Sequence, residues 1–307
     1  MTLTPQETAQ ALPYMALAKN IETLLLDSSV SVPQRIVHPL ANGGSLFVMP
    51  ASDTHVAITK LITFISDNAS RQLPSIQGDL VIFDAQNGKR LKVIDGPTVT
   101  ARRTAAVSLL AAQKLAPNTR GKLLIVGAGV QGKSHLEAFA EGLGVREVII
   151  SSRSQNSADA LVIHAKTLGL NAQSCADPNE ALKECSIVVS TTSAQEIALF
   201  ETPRNDAFVC AVGAFTPKMV EWAPEVCQHI AQNGRIAVDT RDADHEAGDL
   251  IQARLNVSEF PSLAEIVRHQ VSPHNLQQIA STVFFKSCGW AGWDLAAARC
   301  CLQILGK

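Results

Sequence analysis

The sequence has no uninterrupted apolar run approaching the roughly 20 residues that span a bilayer, which excludes a transmembrane helix of that kind. It has no basic block either. Its 26 Lys and Arg stand against 28 Asp and Glu, for a formal net charge of -2. The electrostatic footprint of a nucleic-acid or membrane-surface protein is therefore missing. It has no C-x-x-C pair: Cys175, Cys185, Cys210, Cys227, Cys288, Cys300 and Cys301 form an odd, scattered set. A disulfide framework and a zinc site are not expected, and most of these residues read as small core side chains in a reducing compartment. No metal-ligand spacing occurs, so no metal is expected. The opening MTLTPQETAQ lacks a basic segment followed by an apolar one. No secretory signal is expected from it, and the expected location is cytoplasmic. What is present is core material. The chain has 307 residues, 46% hydrophobic and 18% charged, a globular composition for about two domains.

The hydrophobic period changes along the chain. Thr4-Pro5-Gln6-Glu7 reads as a capped helix start, and Pro13 begins a second helical stretch ending near Asp27. Between about residues 34 and 96 the pattern has period two. QRIVHPL, SLFVMP, HVAITKLITFI, DLVIFD and KRLKVID read as antiparallel strands. Asn87-Gly88 is a hairpin signal, because both residues tolerate positive φ. Residues 98–115 read as an Ala- and Leu-rich helix. From there β and α signatures alternate: KLLIV, a glycine turn, a helix, REVIISSRS, a helix, then SIVVSTT, AFVCAVGAF and RIAVDTRD. That alternation predicts a Rossmann-type, doubly wound parallel sheet over residues 116–275. Residues 1–115 and 276–307, with an extended TVFFKSCG and a final helix, are assigned to a split α+β domain. Asp294, at the start of that last helix, reads as either a cap or a catalytic residue.

Gly127-Ala128-Gly129-Val130-Gln131-Gly132 is G-x-G-x-x-G, set between an apolar strand and a helix. Gly127 permits the tight turn, Gly129 lets a pyrophosphate approach the backbone, and Gly132 lets the helix pack closely. The helix N-terminus adds unpaired N–H groups and a positive partial charge. The next strand ends Ser151-Ser152-Arg153-Ser154, with no acid to accept from a ribose 2′-hydroxyl. Ser152 can donate, and Arg153 either pairs with a 2′-phosphate or faces solvent. NADP(H) is thus favoured over NAD(H), which stays possible as the weaker cofactor. Ligands bind beyond the carboxyl ends of such strands. Thr191, Thr192 and Gly213 are therefore candidate neighbours of the nicotinamide, and Asp239 is either another or a helix cap.

Several separated motifs resemble the ornithine cyclodeaminase/μ-crystallin family over nearly the whole chain. They are Pro33-Gln34-Arg35, Met49-Pro50-Ala51, Lys60 ten residues after that proline, Thr100-Ala101-Arg102-Arg103-Thr104-Ala105-Ala106, the GAGVQ turn, Gly248-Asp249-Leu250, Phe285-Lys286-Ser287-Cys288-Gly289 and Asp294-Leu295-Ala296-Ala297-Ala298. The resemblance implies a Rossmann domain inside a split substrate domain that also forms a homodimer through its sheet. It implies that Arg35, Lys60 and Arg103 hold a substrate α-carboxylate, and that Val130, Gln131 and Ser287 lie against the cofactor. The residues agree. A carboxylate in a partly dry cleft needs compensating cations, and a lysine in the apolar strand Ala-Ile-Thr-Lys-Leu-Ile is unusual unless it is paired or snorkels to an exposed face. Arg102 is expected to be solvated.

Two departures narrow the implied chemistry. Cyclodeaminases carry a glutamate where this chain has Phe47, and an aspartate where it has Phe215. Neither phenylalanine can pair with an ammonium group. Both read as apolar walls suited to a ring, or as ordinary core residues. The resemblance then implies NADPH-dependent reduction of the cyclic ketimines Δ1-pyrroline-2-carboxylate and Δ1-piperideine-2-carboxylate to L-proline and L-pipecolate. Lys60 is a candidate proton donor, with His38 and His55 as alternatives. Competing readings are an alanine-type NAD(P)-dependent amino-acid dehydrogenase and a protein that binds NADPH and a ligand without turnover.

Overall fold

The structure, a computed structural model, describes residues 2–41, 43–269 and 281–306. It divides into two compact units, Met1–Ala106 with Trp290–Lys307, and Val107–Gly289. The expected domain boundary at 275/276 lies outside the described residues. No helix among the described residues is long and apolar enough to cross a membrane.

The first unit opens with α1 (Pro5–Gln10). Its capping box is the expected one: the Thr4 hydroxyl accepts from Glu7 N at 3.3 Å, and Glu7 Oε2 accepts from Thr4 N at 2.8 Å. Helix α2 (Tyr14–Leu26) follows, with Pro13 at its N-cap. An antiparallel sheet then runs in chain order through β1 (Ile36–Pro39), β2 (Ser45–Ser52), β3 (Val56–Phe64), β4 (Ile76–Asp84) and β5 (Arg90–Asp95). Side chains of a strand alternate between the two faces of its sheet. On β3 the inward positions are Val56, Ile58, Lys60 and Ile62, all buried. Lys60 thus takes a core position, in register with Met49 on β2 and Leu80 on β4. The C-terminal helix, Ala291–Leu305, packs on α2, β2 and β3. Arg299 ties it down, with Nε on Asp53 and Nη2 on Asp27, each at 2.6 Å.

Two local expectations are corrected. In the β4–β5 hairpin only Gly88 adopts positive φ, at 73°. The loop is longer than a two-residue turn, because Asp84 N bonds Lys89 O and Gly88 N bonds Asp84 O. Arg102 is not solvated: its guanidinium lies 3.8 Å from the centroid of the Tyr14 ring, and its Nε donates to Leu12 O at 2.7 Å.

Helix α3 (Gly96–Leu115) is divided between the units at Ala106/Val107. The second unit then winds through β6 (Lys122–Val126), α4 (Val130–Leu143), β7 (Glu147–Ser151), α5 (Gln155–Thr167), β8 (Asn171–Ser174), β9 (Cys185–Ser190), β10 (Phe208–Ala211), β11 (Arg235–Val238) and β12 (Val283–Lys286). The sheet order is β11-β12-β10-β9-β6-β7-β8, every ladder parallel. This is the expected α/β fold with a doubly wound sheet. The placement of β12 differs from expectation, which had grouped residues 276–307 with the outer domain. It is a central strand, buried at every position. Its continuous Val-Phe-Phe run suits a parallel strand covered on both faces.

Candidate functional site

The glycine turn after β6 has the three properties that a dinucleotide cradle needs. Gly127 has φ +106°, and a Cβ there would lie 2.7 Å from Thr191 O. Gly132 lets α4 approach: a Cβ there would fall 2.0 Å from Gly127 O. Gly129 is the N-cap of α4, and a Cβ there meets nothing within 4 Å among the described residues. Its backbone is open where the helix presents its unpaired N–H groups. A cavity of about 400 Å³ lies over this turn, lined by Gly127, Gly129, Ser152, Arg153, Thr191 and Thr192 among others. Arg153 is exposed and Ser152 half-buried. Val130 is 70% exposed. Gln131 Oε1 is buried without a hydrogen-bond partner among the described residues, so an acceptor at the turn stands ready for a ligand's donor. The absence of acidic side chains from the first turn of α4 also suits an anionic pyrophosphate. These residues fit a dinucleotide.

His135 braces the turn from below. Its Nδ1 lies 2.7 Å from the Gln131 carbonyl and its Nε2 2.9 Å from the Ser108 hydroxyl. A carbonyl can only accept, so Nδ1 carries the proton and Nε2 accepts from Ser108. Burial lowers this imidazole to about 4, so it stays neutral.

The loops after β9 and β10 hang on one buried carboxylate. Glu221 Oε1 accepts from Thr192 N at 2.7 Å and from the Thr192 hydroxyl at 2.9 Å, and Oε2 accepts from Gly213 N at 2.7 Å. Asp249 in turn accepts from Glu221 N at 2.6 Å and pairs with Lys286 Nζ at 3.0 Å. Glu221, Asp249 and Lys286 are all 0% exposed. Burial and the charge of Asp249 push the Glu221 carboxyl up. Burial works against the Lys286 ammonium, but Asp249 and Glu221 outweigh it and raise Lys286 above the usual lysine range. Thr191 donates to Gly127 O at 3.0 Å. The strand ends are thereby locked to the glycine turn and to one another.

Asp239 neither caps a helix nor faces the cavity. Its Oδ2 accepts from the Ser287 hydroxyl (2.9 Å), Cys288 N (2.9 Å) and Gly289 N (2.8 Å). Ser287 is 2% exposed and its proton is given to that carboxylate, so only its lone pairs are left for any other partner.

The second constellation lies in the first unit. Lys60, only 1% exposed, pairs with Asp294 Oδ2 at 2.8 Å. Arg103 Nε lies 3.3 Å from Asp294 Oδ1, and Lys60 Nζ lies 3.5 Å from the Thr100 hydroxyl. Asp294 is itself 0% exposed, and the N-cap of its helix is Trp290, so it is not a cap. Burial lowers Lys60 to about 8, against the opposing pull of Asp294 and with further lowering by Arg103 and Arg35. Arg35 directly precedes β1, and its charge is felt at Lys60. Lys60 and Arg103 thus share one carboxylate. Phe47, half-buried, pairs with Val37 and Ile62 on the Lys60 face of the sheet. Phe215, also half-buried, belongs to the other unit, in the loop after β10. His38 falls on the sheet face opposite Lys60, and His55 is exposed before β3, so the register separates His38 from the cluster.

Asp294 was the residue least readable in advance. A carboxylate inside the run Trp-Asp-Leu-Ala-Ala-Ala implies a buried cationic partner, but nothing local names Lys60, 234 residues away. Glu221 gave no signal beyond its own charge.

The profile of the ornithine cyclodeaminase/mu-crystallin family matches residues 1–304. The Δ1-pyrroline-2-carboxylate/Δ1-piperideine-2-carboxylate reductase of Azospirillum brasilense is 32% identical over 297 residues, 95% of this chain and 92% of that protein. Ketimine reductase mu-crystallin of Mus musculus is 34% identical over 278 residues, 89% and 85% of the two chains. Thermococcus litoralis Δ1-pyrroline-2-carboxylate reductase, solved with NADH and L-proline, superposes with a TM-score of 0.90 at 21% identity, covering 99% and 97% of the two chains. A match from the first residues to the last helix, joined to the glycine cradle and the buried lysine–arginine cluster, places this chain in the ornithine cyclodeaminase/mu-crystallin family.

Proposed function

We propose that this protein is an NADPH-dependent reductase of cyclic ketimine imino acids, converting Δ1-pyrroline-2-carboxylate to L-proline and Δ1-piperideine-2-carboxylate to L-pipecolate. The reading is carried by the gathering of Arg35, Lys60 and Arg103 in a chain whose relatives are imino-acid reductases. A bound dihydronicotinamide supplies the hydride that the imine carbon accepts. The chain's own residues supply the rest. Arg35 and Arg103 hold the α-carboxylate, Arg by its bidentate fork, and fix the imine carbon in one orientation. As the C=N bond takes up the hydride, its electron pair moves to nitrogen. Lys60 gives that nitrogen a proton and recovers one from solvent, so imine, dihydronicotinamide and one proton become amine and oxidised cofactor. At about 8 Lys60 is mostly protonated at neutral pH yet acidic enough to donate. Phe47 and Phe215 replace the two acids of cyclodeaminases, so ammonium recognition and deamination are not supported.

For the cofactor, Arg153 and Ser152 beside an acid-free end of β7 support the 2′-phosphate and hence NADPH over NADH. Gly127, Gly129, Val130, Gln131 and Gly132 are proposed to hold the pyrophosphate, and Thr191, Thr192, Gly213 and Ser287 the nicotinamide half. A homodimer is proposed through the sheet of the first unit, where the cross-strand neighbours Ile36 and Leu61 flank Val48 and are 59% and 40% exposed; light scattering tests it. Seven free cysteines, six of them buried, support the cytoplasmic setting.

The deciding assay follows dihydronicotinamide absorbance with each cyclic imine, with pyruvate plus ammonia, and with L-ornithine plus NAD. Oxidation of NADPH with the cyclic imines alone is expected. Silence with both imines despite tight NADPH binding overturns the reading and leaves an open-chain dehydrogenase or a ligand-binding protein.

A further inference from the structure

A carboxylate clamp needs cations, yet the cluster in the first unit also contains an anion. Asp294 and Lys60 are 0% and 1% exposed. Taking two charges out of water is unfavourable, and an apolar pair of similar volume is often as stable, so stability alone does not account for the pair. Nor does helix capping, because Trp290 holds that position.

We propose that Asp294 is a positioning residue for the reduction: its carboxylate holds the Lys60 ammonium in place and protonated beside Arg103, so that Lys60 remains a proton donor among like charges. This rests on the reading of Lys60 as the acid. The geometry puts both cations on opposite oxygens of one carboxylate, Lys60 on Oδ2 at 2.8 Å and Arg103 on Oδ1 at 3.3 Å. Asp294 comes from the C-terminal helix, Arg103 and Thr100 from α3, and Arg35 from the segment before β1. Of the three cations only lysine gives up its proton readily. Burial, Arg103 and Arg35 all drive it toward the neutral amine, and Asp294 opposes them.

A charge count separates this role from simple carboxylate binding. The intact cluster has three cations and one carboxylate. With asparagine at 294 and Lys60 neutral, two arginines remain and the net charge is the same. The pull on a substrate carboxylate is then preserved while the acid is lost, so the damage falls on kcat and not on KM.

The test uses the full-length protein and Δ1-piperideine-2-carboxylate across the neutral-to-alkaline range. In Asp294→Asn the alkaline limb of kcat moves to lower pH by about two units. At neutral pH kcat falls about tenfold or more, with KM held within about threefold. Asp294→Glu restores the limb. NADPH affinity, measured separately, is unchanged and reports an intact second unit. A wild-type pH profile in Asp294→Asn, or a loss confined to KM, overturns the proposal. Should Asp294→Asn fail to melt cooperatively, an NMR titration of isotope-labelled lysines decides, with Lys60 assigned by Lys60→Met. A Lys60 midpoint that falls in Asp294→Ser and stays at the wild-type value in Asp294→Glu supports the proposal, because the carboxylate opposes burial and the two arginines; the same midpoint in all three proteins overturns it. If the wild type turns over neither imine, the reductase reading fails first, and the titration still reports whether Asp294 governs Lys60.

Discussion

Replacing Lys286 by methionine keeps most of the side-chain volume and removes the only cation the structure places against the buried Glu221–Asp249 pair among the described residues. Lys286 Nζ stands 3.0 Å from Asp249 Oδ2, with both residues 0% exposed. Breaking a buried pair on one side costs about 3–5 kcal/mol, because the remaining charge is left uncompensated. That is a large part of the roughly 5–15 kcal/mol that hold a domain folded. At about 2–4 °C per kcal/mol for a chain of this class, melting falls by about 6–20 °C. The loss depends on pH. Glu221 is already pushed up by burial and by Asp249, and without Lys286 it rises further. An acid whose folded pKa exceeds its unfolded one contributes stability below the unfolded pKa and loses it as pH rises through the folded pKa. The gap between variant and wild type is therefore wider at about pH 8 than at about pH 5. Differential scanning calorimetry at both pH values measures it. A fall below about 2 °C, or a gap independent of pH, refutes the argument that Lys286 neutralises this pair.

Three further outcomes are expected. Arg103→Ala raises KM for the imino acid and lowers kcat/KM by about a hundredfold or more; near-normal steady-state kinetics remove Arg103 from the clamp. Gly129→Ala leaves melting unchanged, since its Cβ meets nothing within 4 Å, while dinucleotide Kd rises about tenfold or more because the backbone is no longer approachable; an unchanged Kd by fluorescence titration separates the turn from cofactor binding. Arg153→Ala weakens NADPH relative to NADH by about tenfold or more, and an unchanged ratio of the two affinities discredits the 2′-phosphate contact.

What was legible in the sequence is what local chemistry dictates. Alternation located β1 to β5, and the register set Lys60 inward among Val56, Ile58 and Ile62. The glycine turn announced itself because each glycine answers a separate steric demand. Strand β8 was not anticipated: Asn-Ala-Gln-Ser has little apolar content, and neighbouring β7 holds it in place. Strand β12 was assigned to the wrong unit, since an apolar run says that it is buried but not between which strands. The same limit hid the partner of Asp294. Ion pairs across long stretches of chain are chosen by the assembled fold, and so is the stacking of Arg102 on Tyr14.

The place of β12 has a consequence for how the protein is made. Residues 283–286 lie between β10 and the edge strand β11, so the parallel sheet stays open at one side of β10 until those residues have been synthesised. Translation proceeds from the N-terminus at roughly 5–20 residues per second, so both flanking strands wait with unpaired edges while the segment between them is synthesised. Such edges are templates for the wrong partner. A nascent chain stalled before residue 283 is thus an aggregation-prone species, and a C-terminal truncation removing about 25 residues takes out the keystone of one unit together with the Asp294 helix of the other.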